Sequence, residues 1–308
     1  MNAINRREAL RLSAESTLAL SLAGSGLLSS NTAAASESTE PDNSNKNRTL
    51  PGLLVLPGQW RPNWPFEQIA WVRTPWCTAW LPDFVILDFP EAIFCDQGLL
   101  YLSHGYSPPA QMFADLPRVP WRQIDDGLRF ERQLPNGVVF GGSLLAKQDV
   151  APIAGRVQMK LFIKNGGRKP LRKIQLQTCS LLKHCTEFRE NTLNNKFVSV
   201  AGKWIPMSEA KQASAEGKFR IGWRSGPKAA DLPVLVTKSS RAQRLVAMTW
   251  YDDTFSLIGN PLHPCMHADP RFPDLLPGDR AEITGQLVFF DGSLPQFGEW
   301  FKQHERES

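Results

Sequence analysis

Residues 157–163, Val-Gln-Met-Lys-Leu-Phe-Ile, set apolar side chains at Val157, Met159, Leu161 and Ile163. That period of two predicts a half-buried β-strand. Asn165-Gly-Gly follows as a turn, and residues 171–182 read as the returning strand of a hairpin, with Ile174 and Leu176 inward. Similar short apolar runs occur at 69–72, 84–89, 98–103, 138–145, 234–237, 245–250 and 281–290, separated by Pro, Gly, Asn and Asp. Pro277-Gly-Asp279 is a turn signal directly before the last of them. One helix is predicted, over 295–304, with Phe297, Trp300 and Phe301 on one apolar face. Many strands, frequent turns and little helix predict an all-β fold. The expected architecture is a large antiparallel β-sandwich, or supersandwich, with a short C-terminal helix.

The first 50 residues break this pattern. Asn5-Arg-Arg-Glu-Ala-Leu-Arg11 resembles the twin-arginine export motif, its arginine pair at Arg6 and Arg7. An apolar run at 18–28 and the small-residue site Ala33-Ala34-Ala35 keep the order of a secretory signal. The resemblance implies a signal peptide over 1–35, the twin-arginine export machinery as a partner, and a periplasmic or extracellular protein. Residues 36–50 have almost nothing to bury and predict a disordered linker. A single β-sandwich domain is then expected over 51–308.

Composition narrows the function further. No stretch reaches the ~18 apolar residues of a membrane span. The formal net charge of +5 is scattered, with mild basic clusters at 164–173 and 238–244 and no nucleic-acid motif, so nucleic acid is not an expected partner. Cys77, Cys95, Cys179, Cys185 and Cys265 form no CxxC pair, which argues against a zinc ribbon. An odd count in an oxidising compartment leaves at least one thiol over, and buried free cysteines acting as small apolar groups fit as well as a bridge does.

The densest chemistry lies in residues 245–274, read as an apolar strand running into a proline-broken loop. In an extended segment, alternate residues share a face, which would align His263, Cys265, His267 and Asp269. Imidazole, thiolate and carboxylate suit a divalent transition metal such as zinc. The alternative is a rigid loop whose histidines bond backbone carbonyls. Upstream, Asp252 and Asp253 end the strand and offer a catalytic carboxylate or a turn cap. Trp250 and Tyr251 beside them, and Trp60 and Trp64 in a proline-rich loop, are candidate stacking surfaces for a ligand, although most tryptophans are core anchors. His104, at the end of another strand, is a candidate to join His263 and His267, or a satisfied structural histidine.

The run 157–183, with its strand, Asn, short turn, Pro-Leu and second strand, resembles the hairpin of galactose-mutarotase-like β-supersandwiches. Pro277-Gly-Asp279 with the strand after it resembles their closing strand. That resemblance implies a sandwich fold. The family's catalytic His-x-Tyr-Phe segment and late glutamate have no counterpart in matching context, so no mutarotase activity is implied. Trp76-Cys-Thr-Ala-Trp80, residues 87–94 and residues 263–270 also resemble a family of exported proteins of planctomycete-type bacteria, which implies export and no particular reaction. The expected function is an exported β-sandwich that binds a carbohydrate or glycan-derived ligand. Its rivals are a metal-assisted hydrolase or lyase acting on a saccharide, and an envelope interaction module with no small-molecule site.

Overall fold

The computed structural model describes residues 52–59, 67–77, 83–103, 116–147, 149, 151–210, 212 and 215–304. The signal peptide and linker read over 1–35 and 36–50, together with Trp60, Trp64 and His104, lie outside the described residues. The described strands belong to a unit running from Thr49 to Ser308.

Two sheets, each of nine strands among the described residues, make an all-β sandwich. Across the first run β1 (Leu54–Pro57), β2 (Ile69–Arg73), β3 (Phe84–Cys95), β9 (Gln175–His184) and β17 (Cys265–Pro270). Beyond them lie β16 (Thr254–Gly259), β12 (Phe219–Ile221) and β13 (Lys228–Ala230), while β4 (Gly98–Leu102) pairs with β3 off this path. The second sheet begins with β11 (Lys203–Pro206), β10 (Lys196–Val200), β14 (Val234–Lys238), β15 (Arg244–Thr249) and β18 (Arg280–Asp291). It ends with β8 (Ile153–Asn165), β7 (Val138–Lys147), β6 (Gly127–Gln133) and β5 (Arg122–Ile124). Neighbours are antiparallel except β12 and β16, which run parallel.

Alternation sorts each strand between core and surface. Val157, Met159, Leu161 and Ile163 of β8 point inward, as their spacing predicts, and meet Val85, Leu87 and Phe89 of β3 in one core. The expected hairpin of 157–163 with 171–182 does not form. β8 pairs with β7 and β18, and β9 pairs with β3 and β17 in the other sheet. The reason is a pinned corner. Buried Asn165 donates through Nδ2 to the carbonyls of Lys169 and Leu275, and its Oδ1 accepts from the Gly167 N–H. Gly278, at φ +93, donates to the Asn165 carbonyl and locks the corner to the turn at Pro277-Gly-Asp279. The Asn-Gly-Gly turn therefore carries the chain from one sheet to the other.

The outer faces of the two sheets differ. The helix α1 (Met207–Ala210) is a single turn. The C-terminal helix α2 (Leu294–His304) lays Phe297 and Phe301 against Val236, Val288 and Phe290 on the outside of the second sheet. Gln296 caps it, its Oε1 accepting from the N–H and hydroxyl of Ser293. On the outer face of the first sheet Ile69, Ile86, Cys179, Leu181 and Cys265 form a small separate apolar cluster. That face carries the site.

Candidate functional site

β17 is a buried strand rather than the loop expected from its prolines, and it lies between β16 and β9. Its register sets Met266 opposite Ser180 and Cys265 opposite Leu181, with His267 opposite Ile258 on the other side. Met266 and Ala268 enter the core between the sheets. Cys265, His267 and Asp269 take the opposite face, as alternation predicts. Cys179 of β9 sits beside them, since it pairs with Asp88 in the same phase in which Leu181 pairs with Ile86. One ligand atom from each of Cys179, Cys265 and His267 lies within 4.8 Å of the others, and all three residues are buried. Both cysteines are free thiols.

Carboxylates back the imidazole. His267 Nδ1 lies 3.6 Å from Asp269 Oδ1 and 3.7 Å from Glu91 Oε2. Those lengths mark ion pairs rather than directed hydrogen bonds. Burial opposes a charge on His267, but Asp269, Cys265 and Glu91 outweigh it and hold its pKa well above the ordinary value. A hydrogen bond from Cys179 and the neighbouring His267 pull the Cys265 thiol down to about 4, against burial. Cys179, as the donor to Cys265 and itself buried, is pushed well up. Burial also raises Asp269, whose Oδ1 accepts from the Thr178 N–H at 3.2 Å. Such a group can present a thiolate nucleophile beside an imidazole. With both sulfurs it can hold a soft divalent metal.

A pocket of about 1060 Å³ opens over Cys179, Cys265 and His267. One wall is an aromatic ladder across three strands. Trp71 meets Phe84 at 5.5 Å, and Phe84 stacks on His184 at 4.7 Å and 10°. Trp223 stands on the rim with 59% of its surface exposed. The hairpin loop between β16 and β17 adds Asn260, Leu262 and His263. Glu91 is the one carboxylate on the wall among the described residues.

The spacing of residues along β17 anticipates part of this cluster. Cys265 and His267 are in the cluster; His263 lines the pocket but stands outside it, and Asp269 contacts His267 without being one of the three. Cys179 was visible only as a strand cysteine, because its meeting with Cys265 depends on β9 and β17 being neighbours. Trp250 is a correction: it is 0% exposed, stacked on Phe89 in the core, and faces no ligand. Tyr251 stacks on Phe301 of α2, away from the pocket lining. Asp252 and Asp253 occupy a 3-10 turn over Tyr251–Asp253 and do not line the pocket. Among the described residues, Trp71 and Trp223 are the exposed tryptophans that do.

No family model matches the chain, and no curated protein matches it. Solved structures similar to it include that of a provisionally assigned aldose 1-epimerase from Escherichia coli K12, at 8% identity and a TM-score of 0.36, covering 65% of this chain and 78% of that one. Another is a provisionally assigned kojibiose phosphorylase from human microbiome, at 7% identity and TM-score 0.36, covering 79% of this chain and 29% of that one.

Proposed function

We propose that the protein binds a saccharide in this pocket, and that Cys179, Cys265 and His267 hold a divalent transition metal, zinc by its donor set, for a metal-assisted hydrolase or lyase reaction. The observation that carries the reading is the convergence of two sulfurs and an imidazole at the base of a large pocket. A nucleophilic Cys–His pair needs one sulfur, whereas a Cys2His metal site uses both. Three protein ligands with a further position left open is the pattern of catalytic rather than structural zinc. A bound metal would polarise a substrate oxygen or lower the pKa of a water. Glu91 and Asp269 would orient His267 from behind. The exposed faces of Trp71 and Trp223 support a sugar ring as the ligand, each being a flat apolar surface with a polar N–H.

Metal must displace the proton from His267 and from Cys179, so its affinity should rise with pH. We also read the protein as exported by the twin-arginine machinery, on the motif at Arg6 and Arg7. Retention of an unprocessed form on Arg6→Lys/Arg7→Lys substitution checks that reading.

The deciding experiment is elemental analysis of protein purified without chelator or affinity nickel, beside Cys265→Ala and His267→Ala. About one equivalent of metal in the wild type, lost in both variants while circular dichroism is unchanged, is the expected result. A folded wild type without metal would sink the enzyme reading and leave a saccharide-binding module, to be tested by binding alone.

A further inference from the structure

We propose that the saccharide carries a negatively charged group, a carboxylate or a sulfate ester, which Lys183, His184, Arg189 and His263 receive on one side of the pocket. This rests on the reading of the pocket as a saccharide site and adds the charge of its ligand.

The four side chains come from two directions. Lys183 and His184 end β9, Arg189 lies in the loop that follows, and His263 reaches in from the β16–β17 hairpin. All four line the pocket and are exposed to it. No carboxylate among the described residues forms an ion pair with Lys183 or Arg189. Glu91, the single acid on the wall among the described residues, is set against His267.

Acids are not scarce in this segment; they face elsewhere. Glu187 bonds Arg244 at 2.6 Å and accepts from the Ser239 hydroxyl at 2.8 Å. Asp83 accepts from the hydroxyl of Thr186 at 2.9 Å. Glu190 is absent from the pocket lining. Neighbouring cations repel one another, and a concave wall of one sign attracts and concentrates ligands of the other. Here the wall is basic, in a chain whose net charge is only +5.

The ladder supplies the second half of the recognition. His184 closes the series Trp71–Phe84–His184, so an apolar platform ends where the cations begin. A sugar ring resting on the platform would hold its anionic substituent toward Lys183 and Arg189.

The test uses the purified full chain and matched probes in titration calorimetry. The probes are galacturonate and mannuronate oligosaccharides with their neutral methyl esters, and 6-O-sulfated galactan oligosaccharides with their desulfated forms. At least one charged probe should bind roughly tenfold or more tightly than its neutral partner at low salt, and the gap should shrink at about 0.3 M salt, where screening sets in within a few ångströms. Lys183→Ala/Arg189→Ala, both on exposed positions, should erase the gap while leaving neutral-probe affinity and metal content unchanged. Preference for uronates over sulfates, or the reverse, assigns the anion. Neutral probes bound as tightly as charged ones would overturn the charge proposal and keep the saccharide pocket. If no probe binds to folded protein, both fall.

Discussion

Residues 245–274 contain two groupings of reactive side chains, and the fold treats them oppositely. At the Trp250–Asp253 corner the aromatic turns into the space between the sheets, and the two aspartates lie within a tight 3-10 turn. Along β17 the reactive residues turn outward, to the floor of a pocket. The two are still joined. Trp250 Nε1 donates to Thr178 Oγ1 at 3.1 Å, that hydroxyl donates to the carbonyl of Ala268, and the Thr178 N–H donates to Asp269. The corner thus braces from inside the strand that presents the site. Position relative to the sheet, more than residue type, decides which of the two can meet a ligand.

The comparison breaks most visibly at Trp250. Trp250→Ala should cost about 3–5 kcal/mol of stability by opening a cavity and removing the donor to Thr178 Oγ1. Urea denaturation reads this, and a loss below about 1 kcal/mol would deny it the role of core anchor. Metal content of the folded fraction should persist. On the other side, Cys265→Ala should lower metal affinity by more than about 100-fold, beyond what outer partners of a ligand contribute. Competition with a chromophoric chelator measures it, and unchanged affinity would remove Cys265 from the site. A smaller effect is expected at Glu91, which lies against His267 and is not one of the three proposed ligands. Glu91→Gln should weaken metal binding by about tenfold, read in the same competition. A loss as large as that of Cys265→Ala would make Glu91 a ligand itself.

How much of this could be read beforehand follows from the range of the interactions. Alternation is local, so the inward set of β8 and the outward set Cys265, His267 and Asp269 were legible. The face of α2 with Phe297 and Phe301 was legible for the same reason. Sheet membership is not local. Asn165-Gly-Gly reads as a hairpin turn, and only the bonds from Asn165 to Leu275 and Gly278 turn it into a crossing between sheets. The meeting of Cys179 with Cys265 inherits that dependence, because it needs β9 to leave β8 and join β17. Tryptophan exposure was illegible too: Trp71 and Trp250 both follow apolar runs, yet one lines the pocket and the other is sealed in the core.

The smallest expected effect lies at Asp253, where a substitution probes the electrostatics of the corner. Burial raises its pKa, with Asp252 adding to the rise and Arg271 opposing it. A carboxyl whose folded pKa lies above its unfolded value favours the native state while both forms are protonated. That contribution is lost as the pH climbs through the folded pKa. Above that folded pKa the native state carries an ionised, partly desolvated Asp253. Asp253→Asn should raise the urea midpoint slightly at pH 7, and the gain should shrink as the pH falls toward 4. Because Asp253 stands outside the pocket lining, metal content and saccharide affinity should not move. A catalytic base at this position would behave differently: Asp253→Asn would abolish turnover at every pH while leaving the midpoint where it was. Measuring both on one variant separates a partly desolvated turn carboxylate from a member of the active site.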